Sequence, residues 1–172
     1  NSPRHLERDR EVADREGLDI ETVEGDMRDL SVFSDATFDL IVHPVSNTFV
    51  PDVKPVWREA WRVLKPGGAL LAGFDNPLMH VFDVEAWDRG ELIVANSLPY
   101  SDAESLTPEQ LRRYEEEGRP LEFGHTLDDQ IGAQIDCGFL IAGFYEDRDP
   151  EDVLARYTAF FIATRALKPV TP

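Results

Sequence analysis

Two apolar runs joined by one amphipathic helix constrain the fold of this chain more than any other feature. The first run is Phe38–Val42 and the second is Ala69–Phe74. Nearly continuous apolar runs of this length are typical of strands buried on both faces, as in a parallel α/β sheet. A right-handed crossover aligns the carboxyl ends of such strands, and ligands bind at that edge of the sheet. Residues 43–49 are therefore predicted to lie at the active edge.

The stretch between the two runs predicts a helix from about Val53 to Leu64. Its apolar residues recur at three- and four-residue spacing and form one apolar face. Asp52 is the predicted N-cap, and Pro55 lies in the first turn, where a missing N–H costs nothing. Pro66 cannot continue the helix, and the two glycines after it allow a positive φ before the second strand.

Composition excludes several kinds of protein. A chain of 172 residues suffices for one domain with an added subdomain. Its single cysteine, Cys137, excludes an intramolecular disulfide and a cysteine-based zinc cluster. The net charge of −17 opposes binding to a phosphate backbone, so we expect no nucleic-acid partner. No apolar run reaches the length of a membrane span and no secretory segment appears, so we expect no membrane contact and a cytoplasmic protein.

The first 37 residues predict a helix followed by a strand. Ser2 as N-cap and Pro3 at the first helical position are a good helix start, and Gly17 ends the helix. Asp19–Glu24 alternates in polarity like a strand and leads to the turn at Asp26.

Four spaced segments carry a family resemblance: SPRHL (2–6), VEGDMRDL (23–30), FSDATFDLIVHPVSNTFVPDV (33–53) and WREAWRVLKPGGALLAGF (57–74). In this series the chain resembles class I S-adenosylmethionine-dependent methyltransferases, closely over residues 1–75 and more loosely over the last third. The resemblance implies an α/β fold with three Rossmann-like layers, a mainly parallel sheet, an antiparallel last strand and a helical lid insertion. The two apolar runs correspond to the fourth and fifth strands of the family order 3-2-1-4-5-7-6.

The resemblance also implies a cofactor, S-adenosylmethionine, and residues that hold it. Asp26 would accept a hydrogen bond from the adenine amine, with Met27 beside the ring, whereas the alternative is that Asp26 only caps its turn. The residues expected at the cofactor are Asn1, Ser2, Asp26, Met27, His43, Pro44 and Val45. Those expected at the substrate are Asn47, Phe49, Tyr100 and His125.

The chain departs from the family at its start. The glycine-rich loop of the first strand and the ribose-binding acid of the second strand are absent. We therefore expect an N-terminally incomplete methyltransferase in which the fourth strand has a free edge. The expected core comprises residues 1–75 and 122–172, as strands 3–7 of the family pattern.

Residues 76–121 are the predicted lid and substrate-binding insertion, and the alternative is a solvated loop with a peripheral helix. Thr107 and Gln110 form a capping box around Pro108, which predicts a helix from Pro108 to Glu117 ended by Gly118. The last third first predicts a helix that is capped by Thr126 and ends at Gly138. Its predicted buried face consists of Leu127, Ile131, Gln134 and Ile135. A strand Phe139–Tyr145, a short helix from Asp149 and a last strand Tyr157–Thr164 are predicted to follow.

Methyl transfer from a sulfonium depends mainly on orienting the acceptor in line, an effect worth roughly 7–11 kcal/mol. A base is needed only if the acceptor loses a proton, and His43 and His125 are the candidates. For both, the alternative is a packing or capping histidine. The pair Asp128 and Asp129 is interpreted as first-turn charge rather than a metal site, and no metal is predicted.

The sequence thus predicts a methyltransferase of the EC 2.1.1 class that acts on a small molecule by in-line transfer. The leading alternative is a non-catalytic interaction module or a methyltransferase relic that lacks half the cofactor pocket. A nucleotide-dependent oxidoreductase of similar topology is disfavoured by the LKPGG turn and the antiparallel last strand. The identity of the methyl acceptor, the atom that is methylated and the oligomeric state stay open.

Overall fold

A computed structural model describes residues 3–170 of the chain. Its regular elements are α1 (Pro3–Glu16), β1 (Phe38–His43), α2 (Lys54–Val63), β2 (Leu64–Asp75), α3 (Val84–Asp88), β3 (Tyr100–Ser101), α4 (Asp102–Ser105), α5 (Pro108–Glu117), β4 (Phe123–Gly124), α6 (Ala133–Asp136), β5 (Leu140–Asp147) and β6 (Phe161–Leu167). Short 3-10 turns cover Asn47–Phe49, Pro77–Val81 and Val153–Arg156, and a π-helical turn covers Asp128–Gly132.

The main sheet has four strands in the order β1-β2-β6-β5. Strand β1 runs parallel to β2, with Val42 opposite Leu71, whereas β6 runs antiparallel to both of its neighbours. The predicted parallel pair and the antiparallel last strand are therefore confirmed. The order corresponds to 4-5-7-6 in the family numbering, so the predicted mixed α/β architecture is confirmed as well.

Helix α2 supplies the core of one side of the sheet. Its buried face contains Val56, Trp57, Ala60 and Val63. The indole Nε1 of Trp57 donates to the backbone oxygen of Asp129 at 3.1 Å, which fixes α2 against the π-helical turn. The core cluster combines residues of the loop before α2, of α2 itself, of the sheet and of the region around α6: Val50, Val53, Val56, Trp57, Ala60, Leu64, Leu70, Ala72, Ala133, Phe139 and Ala166.

The two predicted ends of α2 differ in detail from the structure. Val53 occupies the N-cap position, and the Asp52 carboxylate instead accepts the Lys54 N–H from one residue further out, at 3.0 Å. Gly67 has the predicted positive φ, +84°, but it lies inside β2, which starts at Leu64 directly after α2.

The opposite face of the sheet is open within residues 3–170. Leu40 is 52% exposed, Val42 is 63% exposed, and Leu71 is exposed too. The prediction that both strands are buried on both faces is therefore wrong for this face. The physical reason is that α2 and α6 pack against the same side of the sheet, and no described helix covers the other side.

The predicted strand Asp19–Glu24 is wrong. These residues are irregular, and the only pairing nearby is an isolated bridge between Asp26 and Asp29. Alternating polarity does not by itself form a strand, because the backbone also needs a neighbouring strand to hydrogen-bond. Helix α1 ends at Gly17, with φ +66°, as predicted, whereas the predicted N-cap Ser2 lies outside the described residues.

The helix capped by Thr126 forms, but with a different buried face from the predicted one. The Thr126 hydroxyl accepts the Asp129 N–H at 3.1 Å, as predicted. The π-helical turn contains an extra residue and therefore rotates the remainder of the helix about its axis. Leu127 and Ile135 are consequently exposed, whereas Gln134, which the prediction placed on the same face, is buried together with Gln130.

Of the remaining elements, α5 agrees with the prediction, whereas the last strand starts later in the chain than predicted. Helix α5 has the predicted bounds, the complete capping box and Gly118 in the left-handed region. The last strand starts at Phe161, four residues after the predicted start, because a 3-10 turn capped by Asp152 replaces the short helix expected from Asp149. Within residues 3–170, no helix combines the length and apolarity needed to cross a membrane.

Candidate functional site

The loop after β1 turns tightly over β2. Val45 has φ +36°, which is unusual for a β-branched residue, and its N–H donates to the Gly73 oxygen at 2.9 Å. Such strained residues cluster at functional sites, where the surrounding structure holds them in place. Of the predicted cofactor residues, His43, Pro44 and Val45 thus lie together at the carboxyl edge of the sheet.

A buried chain of hydrogen bonds, here called the amide network, holds this loop. His43 Nε2 lies 2.6 Å from Asn47 Oδ1, and Asn47 Nδ2 donates to Gln130 Oε1 at 2.6 Å. Gln134 Nε2 donates to the Gln130 backbone oxygen at 2.8 Å, and the Thr164 hydroxyl donates to Gln134 Oε1 at 3.0 Å. Buried polar groups of this kind rigidify a core when they are satisfied. The network therefore ties the active edge to β6.

The network fixes the proton position on both candidate histidines. Asn47 uses its amide nitrogen toward Gln130, so its oxygen accepts and His43 Nε2 carries the hydrogen. His125 Nε2 lies 3.0 Å from the Asn47 backbone oxygen, which can only accept. Burial lowers the pKa of His43, so this imidazole is neutral near neutral pH. In both rings Nδ1 is the nitrogen left for chemistry, and their catalytic role stays a prediction.

Asp26 is engaged with Arg28. The guanidinium lies 2.6 Å from Asp26 Oδ2, and the Arg28 N–H donates to Asp26 Oδ1 at 2.8 Å. These hydrogen bonds lower the pKa of Asp26 to about 2. Asp26 therefore does cap its turn, as the alternative held. A carboxylate has lone pairs to spare, so the adenine contact stays a prediction beside the cap.

Asp26 borders an open cleft of about 670 Å³ that also includes Met27, Phe33 and Phe49. Phe49, a predicted substrate residue, is 48% exposed and lies here with the predicted adenine residues. A purine can donate a hydrogen bond to the ionised Asp26 carboxylate and can pack against the Met27 thioether and the exposed Phe49 ring. The residues present therefore fit the adenine end of S-adenosylmethionine.

A second cavity, here called the lid cavity, lies at the carboxyl end of β2 and has a volume of about 360 Å³. Asp75, the last residue of β2, and Tyr100, a predicted substrate residue, line it with His80, Asp102 and Glu122. Burial, and next the nearby Glu122, raise the pKa of Asp75 to about 6. Asp75, His80 and Glu122 are absent from the sequence-based site, because no motif or spacing in the sequence connects them.

The lid cavity is braced by Asp102, which is buried. Tyr100 Oη donates to Asp102 Oδ1 at 2.6 Å, and the Glu122 N–H donates to Asp102 Oδ2 at 2.8 Å. These two bonds join the strands of the β3–β4 pair, so the wall that carries Tyr100 and Glu122 is rigidly placed.

Two consecutive residues connect the lid cavity to the loop after β1. Gly124 packs against the His80 ring so closely that a Cβ there would lie 2.6 Å from His80 Cγ. The next residue, His125, hydrogen-bonds the backbone of Asn47. Asn47 itself is 1% exposed and committed to the amide network. Asn47 and His125 thus lie between the predicted cofactor loop and the lid cavity, whereas Asn1 and Ser2 lie outside the described residues.

The strand order, the antiparallel β6 and a ligand edge at the ends of β1 and β2 define the class I methyltransferase fold. Comparison with known proteins agrees: a family profile described as "Methyltransferase domain" matches residues 1–72. The chain belongs to the class I S-adenosylmethionine-dependent methyltransferases, a family of transferases whose cofactor is S-adenosylmethionine.

Individual relatives support this assignment. An uncharacterized methyltransferase, YbaJ of Bacillus subtilis, is 51% identical over 168 residues, which cover 98% of this chain and 66% of YbaJ. A solved S-adenosylmethionine-dependent methyltransferase from Mesorhizobium loti superposes with a TM-score of 0.65 at 16% identity, covering 96% of this chain and 76% of its own. A putative methyltransferase from Bacillus halodurans gives 0.62 at 16% identity, covering 98% and 80%. The chain thus spans about two thirds of the length of YbaJ.

Proposed function

We propose that the protein containing this chain transfers the methyl group of S-adenosylmethionine to a small molecule held in the lid cavity. The observation that carries the proposal is the shared edge: His125 hydrogen-bonds Asn47 in the loop after β1, and the preceding residue, Gly124, packs against His80 of the lid cavity. A methyl donor on one side of that junction and an acceptor on the other would face each other across it.

The cofactor roles proposed for individual residues follow from their positions. Asp26 and Met27 would hold the adenine, and His43, Pro44 and Val45 would line the methionyl part. S-adenosylmethionine supplies a methyl group that is already activated on a sulfonium. The work left to the chain is to orient the acceptor in line and to exclude water, which braced cavity walls favour.

Residues 76–121 would act as the lid of the site. They contribute most of the wall of the lid cavity, including Trp87, Tyr100 and Tyr114. The core, residues 1–75 and 122–172, would contribute Asp75, Glu122 and Asp152. A lid of this kind closes over bound ligands and sets the rate of product release in many enzymes.

The test is to incubate the protein with S-adenosylmethionine and a panel of small acceptors and to measure two products by mass spectrometry. We expect S-adenosylhomocysteine and a methylated acceptor to appear in equal amounts. The amount should fall with Tyr100→Ala, which removes a lid-cavity wall, and stay constant with the exposed lid variant Glu104→Gln. Binding of S-adenosylmethionine without either product from any acceptor would favour the non-catalytic alternative.

A further inference from the structure

The lid cavity is strongly acidic. Its lining includes one guanidinium and a larger set of carboxylates: Asp75, Asp83, Asp88, Asp102, Glu122 and Asp152. The guanidinium of Arg119 lies over the Tyr114 ring, 4.2 Å from its centre, and forms no ion pair with these acids in the part of the chain that the structure describes.

Five of the six acids of the lid cavity fall into two groups, and the sixth, Asp88, is exposed. Three of them have structural duties: Asp83 caps α3, Asp152 accepts from the Trp87 indole at 2.8 Å, and Asp102 braces the β3–β4 pair. Asp75 and Glu122, by contrast, accept no side-chain hydrogen bond within residues 3–170, although the Asp75 side chain is only 14% exposed. Desolvated carboxylates without donors are costly, so the cavity favours a ligand that supplies positive charge.

His80 is an independent indication of a ligand. Its side chain is 9% exposed, lines the cavity and makes no side-chain hydrogen bond in the described residues. Its Nε2 lies 3.9 Å from Asp75 Oδ2, which is beyond hydrogen-bonding distance. Burial is the main cause that lowers the pKa of His80, so the ring is neutral and does not neutralise Asp75. The ring is therefore nine-tenths buried, has no hydrogen-bond partner among residues 3–170 and is open to the cavity, where it can bond a ligand.

The rest of the wall is aromatic. Phe82, Trp87, Tyr100 and Tyr114 line the cavity, and Tyr100 stacks on His80 with 5.6 Å between the ring centres. Aromatic faces attract organic cations, most strongly where the cation is desolvated. A volume of about 360 Å³ suits a small molecule. Carboxylates together with aromatic faces therefore favour a cation that carries alkyl groups over a strongly hydrated ion.

We propose that the lid cavity binds a small organic ammonium ion and that amines are the class of methyl acceptor. The second part rests on the proposed function, whereas the binding site stands without it. Asp75 and Glu122 supply the counter-charge, and the aromatic rings contact the alkyl groups. His80 accepts a hydrogen bond from an N–H of the ligand and takes that proton before transfer. The freed lone pair of the amine then forms the N–CH3 bond while the S–CH3 bond of S-adenosylmethionine breaks and S-adenosylhomocysteine leaves.

The binding test uses choline and 3,3-dimethylbutan-1-ol, which replaces the charged nitrogen of choline by a neutral carbon and keeps its shape. Calorimetric titration at neutral pH should give at least about tenfold tighter binding of choline, a difference of about 1.4 kcal/mol. Asp75→Asn and Glu122→Gln should each weaken choline binding at least about tenfold. Glu104→Gln removes one exposed charge from the same lid outside the cavity lining and should leave binding unchanged.

Folding is monitored separately, since Asp75→Asn removes a desolvated charge and should raise the melting temperature. Lost binding in a more stable variant cannot come from unfolding. Choline affinity should also fall as the pH drops through about 6, where Asp75 takes up a proton.

Three results would overturn the inference: equal binding of the two probes, no detectable binding of choline, or choline selectivity that survives both cavity substitutions. The proposed function fails in a different way. If choline binds selectively but no acceptor is methylated, the ammonium site stands and the methyltransferase proposal falls. If only neutral hydroxyl acceptors are methylated, the methyltransferase proposal stands and the assignment of amines as acceptors falls.

Discussion

The hydrogen bond between Thr164 and Gln134 offers a quantitative test of the amide network. Both side chains are buried, and the Thr164 hydroxyl donates to Gln134 Oε1 at 3.0 Å. Gln134 Nε2 donates in turn to the Gln130 backbone oxygen. The perturbations are Thr164→Val, Gln134→Met and the double variant, which keep the volumes nearly constant while they remove polar atoms.

The expected cost follows from the number of buried groups that each variant leaves without a partner, at about 1–3 kcal/mol per group. Thr164→Val leaves one such group, Gln134 Oε1. Gln134→Met leaves one as well, the Thr164 hydroxyl, and it also removes the Nε2 donor from the Gln130 oxygen. The double variant leaves neither the hydroxyl nor Oε1, so it should be less destabilised than Gln134→Met alone. The sum of the single effects should exceed the double effect by about 2 kcal/mol even at the smallest penalty.

The assay is equilibrium unfolding in urea, followed by tryptophan fluorescence and circular dichroism. Equal m values among the variants would show that the free energies can be compared. Thr158→Val is the matched control, since the Thr158 hydroxyl is only partly buried and bonds the adjacent Ala159 oxygen at 3.2 Å. It should cost less than about 1 kcal/mol. Single effects that add to within about 0.5 kcal/mol would refute the network as described.

Four further predictions concern the cofactor cleft, the lid cavity and the lid. Asp26→Ala should raise the KM for S-adenosylmethionine about 10- to 150-fold with little change in kcat, because an ionised acceptor contributes about 1.5–3 kcal/mol; a lower melting temperature with an unchanged KM would leave Asp26 only its role as a turn cap. The raised pKa of Asp75 means that the folded state binds the proton of this carboxyl more tightly than the unfolded state does. The protonated carboxyl therefore contributes its full stabilisation below pH 3.8, and this stabilisation is lost as the pH rises through about 6. Asp75→Asn should remove about 2–3 kcal/mol of this change in the free energy of unfolding, compared between low pH and neutral pH. An unchanged dependence of stability on pH would contradict the burial of Asp75. Gly124→Ala should cost about 1–3 kcal/mol through the clash with His80, whereas Gly25→Ala, with open space around it, should be nearly neutral in the same denaturation assay. Residues 76–121 should exchange amide hydrogens faster than β2 and slow down with cofactor and acceptor, whereas uniformly slow exchange would mean a rigid addition.

The sequence by itself determined the elements whose causes are local. The run Phe38–Val42, the helix after it and the run Ala69–Phe74 follow from periodicity and from turn residues that lie next to them in the chain. The capping box of α5 is similar, because Thr107 and Gln110 satisfy each other's backbone groups within one turn. The order of these elements sufficed to identify the family, although it left the acceptor open.

The tertiary structure decided what depends on distant partners. Asp19–Glu24 has the pattern of a strand but no neighbour to pair with. The π-helical turn at Asp128–Gly132 exposes Leu127 and Ile135 of the predicted face and buries Gln130, which the prediction did not include. Val42 is exposed although its strand was predicted to be buried on both faces. An apolar pattern shows which side chains can be buried, but it does not show which other element packs over them.

The lid cavity depended most on the tertiary structure. Asp75 ends a strand and Glu122 precedes another one far along the chain, and neither belongs to a recognisable motif. Only the return of the lid onto the edge of the sheet brings them to one cavity with His80. The charge, the burial and the missing hydrogen-bond partners of these side chains arise from that approach, because desolvation is a property of the surroundings and not of the residue.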